Sequence, residues 1–403
     1  MRICYVHQYF CTPRGNGGVR SYEFARRWVR AGHEVEVLTG TGYDTSLPSS
    51  GVFLVEGIRV RTLGIYYSPR MAFIERFWSF IYFALKASWR MLYSNDYDLV
   101  IATSTPLTVA IPALCAKWIA RKPVVFEVRD VWPDAAVDIG ELRSAFLIKL
   151  AKGLERIAYS SADAIVPLST GMERRIAAKG VPHGQMTVIP NCSDLDRFAN
   201  GKRSRFRSKF RCDEKFVIIY AGAVSQANDI ESLAASLALM QRLSGWEWWF
   251  VGDGNRLDWL RAEVSSKRLQ NVRLLGAVSR DDLTDLLAGA DCGVVSFVPK
   301  PVYYENSPNK FFDYIAASLP VVFSRSSWLQ ESILEYECGF VGSDGSSAML
   351  AENLGMLISD RTLARRMGRN ARRLAEECFS RDRMAEKYLD LLVRVSQAPR
   401  LER

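Results

Sequence analysis

Glu305-Asn-Ser-Pro-Asn-Lys-Phe-Phe-Asp313, followed by Tyr-Ile-Ala-Ala-Ser-Leu-Pro320 and Val-Val-Phe323, spells a loop, a helix and a strand. The helix stops near Leu319, because Pro320 disfavours helical geometry in the residue before it. Residues 320–323 read as a buried strand. Free backbone N–H groups and the dipole at the helix start, around Ser307, Pro308 and Asn309, favour a negatively charged ligand. Lys310 adds a point positive charge. Asp313, three residues later on the same side of the helix, offers a carboxylate to a pair of vicinal hydroxyls. Glu305 stands ahead of the helix. The competing account of both acids is the dipole alone, which favours carboxylates near any helix start.

Strand and helix alternate on both sides of this unit. Strands at 216–220, 246–251, 271–275 and 291–295 precede it, separated by helices at 229–243, 255–266 and 280–288. Helices near 346–358, 360–377 and 381–396 follow. The first half repeats the pattern, with strands at 3–7, 34–39, 58–63, 99–103, 123–127 and 164–167. Segments 40–57 and 129–140 read as loops, and the basic segment 196–214 as an irregular linker. Two alternating halves imply an α/β fold: two Rossmann-like doubly wound domains facing across a cleft, with ligands outside the carboxyl ends of the strands. The domains run 1–195 and 196–378, with a helical segment at 379–403.

At 403 residues with 48% hydrophobic and 24% charged content, the chain suits two ordinary globular domains. None of its eight cysteines forms a Cys-x-x-Cys pair and only three histidines are present, so no metal site is expected. The N-terminus opens on a strand pattern without the features of a signal peptide. Net charge is +9, and residues 1–200 hold 24 Lys+Arg against 18 Asp+Glu, so the excess leans to the first half. That suits phosphates or an anionic membrane surface. Nucleic acid is not expected, for want of a compact basic run or motif.

Four further stretches stand at strand ends or on helices. Gly15-Asn-Gly17-Gly18 precedes a helix and suits a phosphate or substrate contact, or a plain glycine turn; it lacks the dinucleotide fingerprint. Arg129 and Asp130 serve equally as a phosphate clamp with a hydroxyl acceptor, or as a pair fixing a loop. Gly252-Asp253-Gly254 leaves room for a flat base against backbone, although Gly-Asp-Gly is a common turn. Helix 71–93 is long enough to span a bilayer, but its internal charges argue against spanning; it reads as core or as an interfacial face.

Taken together, Gly17-Gly18-Val-Arg-Ser-Tyr-Glu-Phe-Ala25, Glu127-Val-Arg-Asp-Val-Trp-Pro133, Pro190-Asn191, Tyr220-Ala-Gly222, Val251-Gly-Asp-Gly254 and Glu305 to Val322 resemble the family 4 retaining glycosyltransferases of GT-B architecture, over nearly the whole chain. The Val-Arg-Asp-Val-Trp-Pro and Ser-Pro-Asn-Lys-Phe-Phe-Asp-Tyr versions are similar to the branch of bacterial N-acetyl-L-fucosamine transferases. The resemblance implies a nucleotide-sugar donor, UDP-linked, and no cofactor or metal. It implies a polyprenyl-diphosphate-linked saccharide acceptor at the cytoplasmic face of the membrane, where the protein would be peripheral, in surface polysaccharide synthesis. Glu305 would contact the transferred sugar and Asp313 the ribose. Ser307, Pro308, Asn309 and Lys310 would take the diphosphate, with Gly17 and Gly18 facing phosphates or acceptor. Gly222 belongs to the same donor-binding set, and Gly252, Asp253 and Gly254 would lie near the base. Arg129 and Asp130 stand where the family has a sugar-contacting histidine. The family's arginine and lysine after the first strand of the second domain map to Ala223 and Asn228, which puts more of the diphosphate charge on Lys310. The C-terminal helix would cross back to the first domain.

Overall fold

The computed structural model describes residues 1–15, 17–68, 71–93, 96–192 and 194–398. Asn16 of the glycine loop, Ser193 of the turn after Pro190 and residues 399–403 of the C-terminal segment lie outside the described residues. The chain divides into two compact units, Met1–Pro190 with Asp382–Arg403, and Asn191–Arg381. The sequence reading set these boundaries at 195/196 and 378/379.

The first unit holds seven strands: β1 (Arg2–Val6), β2 (Glu34–Thr41), β3 (Ser50–Val55), β4 (Ile58–Tyr66), β5 (Leu99–Ser104), β6 (Val124–Val128) and β7 (Ala164–Pro167), in the order β3-β4-β2-β1-β5-β6-β7. All neighbours are parallel except β3 and β4. β3 corrects the loop expected at 40–57. Val55 and Ile58 pair across Glu56-Gly57, both at positive φ (46° and 83°), the geometry of a two-residue hairpin turn. The strand escaped notice because it is an edge strand with little burial, so it carries no core pattern.

The second unit holds β8 (Phe216–Ala221), β9 (Trp246–Val251), β10 (Val272–Gly276), β11 (Cys292–Val295), β12 (Val321–Phe323) and β13 (Gly339–Val341), all parallel, in the order β10-β9-β8-β11-β12-β13. Its central strands are buried on both faces. Phe216, Ile218 and Tyr220 of β8 join one apolar cluster and Val217, Ile219 and Ala221 the other, as the two-residue period of a strand requires. Setting the β3 hairpin strand aside, both sheets share one topology. Chain direction across the sheet reverses beside β1/β5 in the first and β8/β11 in the second. The crevice outside the strand ends at such a reversal is where doubly wound sheets bind ligands.

The expected irregular linker is instead two helices, Leu195–Ala199 and Arg203–Phe210. Their cations are matched by a neighbouring helix and its end: Arg205 pairs with Asp282 and Asp285, and Arg207, itself buried, with Asp291. Within the expected loop 129–140, Asp134–Asp138 is a short helix. Two further helices of the first unit pack on each other. Arg20–Arg30 begins directly after the N-terminal glycine loop, and Arg381–Gln397 docks against Arg20–Arg30 through Trp28 and Phe24 on Tyr388 (ring centroids 5.2 and 5.5 Å) and an Arg27–Asp382 ion pair of 2.5 Å.

Candidate active site

The stretch 305–323 sits at the chain reversal of the second sheet. Asn309–Ala316 is a helix whose residues Phe311, Phe312, Tyr314 and Ile315 are buried. Tyr314 Oη accepts the backbone N–H of Ala221 at 2.8 Å, tying the helix to the end of β8. Its N-cap is Pro308 and no side chain caps the start; Phe311 N–H returns to Pro308 O at 3.1 Å. Ser307 is held by Asn191, whose backbone N–H donates to Ser307 Oγ (3.0 Å) and whose Nδ2 donates to its carbonyl (2.7 Å). Glu305 does not stand in a loop, as expected, but closes the short helix Pro301–Glu305, which Pro301 starts. Trp328 Nε1 donates to Asn306 O at 2.7 Å and fixes the turn between the two helices. Asn306 Oδ1 and Asn191 Oδ1 are buried acceptors with no partner among the described residues.

Lys310 is the focus. Its ammonium donates to Asn228 Oδ1 (2.8 Å) and Tyr220 Oη (3.1 Å), and lies over the rings of Tyr220 (4.4 Å) and Phe297 (5.3 Å). No carboxylate pairs with it among the described residues, and desolvation pushes its pKa down from 10.5 to about 7. Gly222 makes this approach possible: a Cβ there would meet Lys310 Cε at 3.0 Å. Asn228 Nδ2 in turn donates to Ala223 O (3.0 Å), so the lysine reaches the two positions where the resemblance places the family's missing cations. Tyr220, Asn228 and Phe297 were not read as site residues from sequence. Tyr220 appeared only within the Tyr-Ala-Gly motif and Asn228 only as a loss.

Gly252 and Gly254 serve loop-on-loop packing. A Cβ at Gly252 would lie 1.9 Å from Gly222 O, and one at Gly254 2.3 Å from Val224 O. Asp253 Oδ1 accepts the N–H of Gly254 at 2.7 Å. The room these glycines leave is thus filled by neighbouring backbone.

Asp313 makes no ion pair or side-chain hydrogen bond among the described residues. Burial raises its carboxyl from 3.8 to about 6, with Arg381, Arg197 and Arg280 drawing it partly back. A carboxyl raised in the folded state stabilises fully below its ordinary pKa, and that contribution is lost as pH rises through about 6. Asp313→Asn therefore melts above wild type in the nucleotide-free protein at pH 7.5, and the gap closes at pH 4; thermal unfolding at the two pH values checks this.

The first unit places Arg129 and Asp130 beside its own chain reversal, at the end of β6. With Tyr9, Gly18, Tyr43 and Thr105 they line a cavity of about 130 Å³. Arg129 Nη1 donates to His7 Nε2 at 3.1 Å. Because a guanidinium only donates, Nε2 is the acceptor and the ring is neutral with its proton on Nδ1. Burial, then Arg129, holds His7 well below its usual range. Thr105 Oγ1 reaches Asp130 Oδ2 at 3.3 Å, and burial raises the Asp130 carboxyl. Arg129 and Asp130 make no direct ion pair with each other, although the Arg129 charge draws the Asp130 carboxyl partly back down. Gly17 is turned elsewhere: its N–H donates to Cys11 Sγ (3.2 Å), and a Cβ would strike the Tyr43 ring at 2.4 Å. Sequence reasoning missed His7, Tyr9, Tyr43 and Thr105, all brought together by strand ends far apart in the chain.

Residues 15–192 match the family model described as "Glycosyl transferase 4-like domain", and residues 202–374 the one described as "Glycosyl transferases group 1". The chain is 25% identical over 263 residues to the lipopolysaccharide core biosynthesis glycosyltransferase LpsE of Rhizobium meliloti (strain 1021), covering 64% of this chain and 73% of that protein. It is 21% identical over 311 residues to the capsular polysaccharide biosynthesis glycosyltransferase CapM of Staphylococcus aureus, covering 72% and 75%. Among solved structures it resembles Anabaena Alr3699/HepE in complex with UDP, with TM-score 0.74, 20% identity and coverage of 98% and 100%. Sucrose-phosphate synthase from Thermosynechococcus elongatus gives TM-score 0.78 at 19% identity, covering 99% and 100%.

Proposed function

The chain is a glycosyltransferase of the GT-B fold, built from a glycosyl transferase 4-like domain and a glycosyl transferases group 1 domain, and on that premise we propose that it moves a sugar from a UDP-sugar to a polyprenyl-diphosphate-linked saccharide during bacterial surface polysaccharide synthesis. The observation that carries the donor assignment is the Lys310 ammonium, desolvated, without an acid, and aimed at the end of β8 beside an uncapped helix start. A diphosphate supplies the missing negative charge. As the bond to the sugar breaks, charge grows on the leaving diphosphate, and a preorganised cation there lowers the barrier more than it lowers the ground state. Asp313 accepts the ribose hydroxyls, and Glu305 with the unpartnered Asn306 Oδ1 faces the transferred sugar. An N-acetyl-L-fucosamine-type sugar agrees with the branch resemblance of the Ser-Pro-Asn-Lys-Phe-Phe-Asp-Tyr stretch. The cavity at Arg129 and Asp130 takes the acceptor: its guanidinium binds an anionic or carbonyl group and its carboxyl a hydroxyl, with Tyr9 and Tyr43 as sugar-stacking walls. The reaction proceeds with retention. The nucleotide leaves and the acceptor hydroxyl attacks on one face of the sugar, and the departing phosphate oxygen takes the acceptor's proton.

Incubation of the purified protein with UDP-sugars and a polyprenyl-diphosphate saccharide tests this by NMR of the product. The expected result is acceptor-dependent UDP release and a glycoside with the donor's anomeric configuration. Interconversion of the donor without acceptor marks an epimerase, and absence of both reactions marks a non-catalytic subunit; either outcome rejects the proposal.

A further inference from the structure

Arg325 follows the end of β12, at the carboxyl edge of the second sheet. Its guanidinium ties together three other strand-end loops. Nε donates to Phe297 O (3.0 Å) after β11, Nη1 to Asp344 O after β13, and Nη2 to Asp229 Oδ2 (3.3 Å) after β8. The Arg325 and Asp229 side chains are only 15% and 11% exposed, so their ion pair is shielded from water. The fit is close: Gly345, at φ +78°, leaves the guanidinium a place that a Cβ would fill. Behind it, Ser324 Oγ donates to Ser296 Oγ at 3.0 Å and joins the ends of β12 and β11.

Two of these loops are the ones that hold Lys310. Asn228, whose Oδ1 accepts from the ammonium, immediately precedes Asp229, and Phe297 is one of the two rings against that ammonium. The turn at Asp229 needs support. The residue stands in the left-handed region (φ 50°, ψ 49°), which side chains rarely adopt, although aspartate tolerates it better than most. Asp229 is also the N-cap of helix Ile230–Met240, yet its carboxylate does not cap the helix as an aspartate there ordinarily does. It goes to Arg325 instead. Val298 N–H donates to Ala227 O at 3.1 Å, which joins the turn 226–229 to the Phe297 loop a second time.

We infer that Arg325 is a positioning residue for donor binding. With Asp229 it fixes the Asn228 amide and the Phe297 ring around Lys310, and it does not itself take the diphosphate. Backbone held in a sparsely populated conformation by its surroundings, next to a ligand group, is the mark of a site set in advance of its ligand. The competing role for Arg325 is a direct phosphate contact. Against it, the charge of Arg325 is already met by Asp229, and its Nε, Nη1 and Nη2 each donate to a loop partner, whereas Lys310 has no acid among the described residues. A planar guanidinium suits the first role, because its donors point in fixed, divergent directions and can hold separate acceptors at once. The inference rests on Lys310 being the cation that meets the diphosphate, and its test separates the two claims.

A double-mutant cycle on UDP affinity, read by isothermal titration of the full chain, tests it. Arg325→Gln and Asp229→Asn are each made in wild type and in Lys310→Met. Asparagine has nearly the shape of aspartate and tolerates the left-handed region, so Asp229→Asn removes the ion pair from a folded protein; where circular dichroism shows Arg325→Gln to be misfolded, the cycle is read on Asp229→Asn. Each variant is expected to weaken UDP binding about tenfold in wild type and by less than about twofold in Lys310→Met. Equal losses in the two backgrounds overturn the inference, because a direct phosphate contact or a general loosening does not act through Lys310. Wild-type affinity in both single variants, beside a loss in Lys310→Met, overturns it and leaves the donor assignment standing. Wild-type affinity in Lys310→Met overturns both.

Discussion

Lys310→Met lowers turnover by about 10²–10³-fold, the typical cost of removing one preorganised group that stabilises developing negative charge. Methionine keeps the apolar stem that packs beside Gly222, Tyr220 and Phe297, so the loss is that of the charge. The empty variant is expected to be no less stable than wild type. The folded-state pKa of Lys310 is depressed, so its contribution to stability is full above its ordinary 10.5 and lost as pH falls through about 7. The melting advantage of the variant therefore opens as pH falls from 10 to 7 and persists below. A variant that is stable, binds nucleotide poorly and turns over slowly is the signature of a charge held for its ligand. Steady-state kinetics beside thermal unfolding at two pH values separate this from a folding defect.

Arg20→Met is expected to have the largest effect on stability. Arg20 Nε donates to Glu127 Oε1 at 2.9 Å, with the two side chains 4% and 0% exposed. Nη1 donates to the carbonyl of Pro190 (2.5 Å) and Nη2 to that of Ile189 (2.7 Å), the last residues before the unit boundary. Tyr5 and Thr103 donate to Glu127 Oε2 at 2.9 and 2.6 Å. Losing the arginine strands a buried carboxylate and two carbonyls, which costs about 3–5 kcal/mol, or roughly 10 °C in Tm for a unit of this size. Burial works against Glu127 ionisation, and Arg20 followed by Arg129 outweighs it, holding the carboxyl below its ordinary range. In wild type that stability is present above the ordinary carboxyl pKa and lost as pH falls through the lowered one. In the variant the uncompensated charge is relieved by protonation, so the deficit shrinks as pH falls. Arg20→Met/Glu127→Gln recovers part of the loss, and chemical denaturation of the two single variants and the double variant gives the coupling.

Local patterns carried the fold further than they carried the site. The two-residue and 3.6-residue periods of strands and helices reflect burial, so the buried parallel strands up to β12 were legible, whereas β13 and the strand order that sets the chain reversals were not. The β3 hairpin was not, because its side chains face solvent. Helix Arg203–Phe210 was not, because its order depends on Asp282, Asp285 and Asp291, about eighty residues on. The same distance effect governs the site. The lysine was visible as a charge at a helix start, but its position is set by Tyr220 Oη and Asn228 Oδ1, 90 and 82 residues away. Asn228 read as a missing cation, whereas its amide orients the cation delivered from the facing helix. The close approach of Gly252 and Gly254 to the backbone of Gly222 and Val224 was likewise out of reach of the local pattern.

Isothermal titration of UDP into wild type and Lys310→Met at pH 8, in buffers of different ionisation enthalpy, reads the charge of Lys310 before and after the diphosphate arrives. An ammonium held down to about 7 in the empty protein is mostly neutral at pH 8 and regains its proton when a diphosphate arrives. The expected result is proton uptake on binding in wild type, its loss in the variant, and weaker UDP binding by the variant. Equal affinity for UDP in both proteins, or binding to wild type without proton uptake, would contradict it.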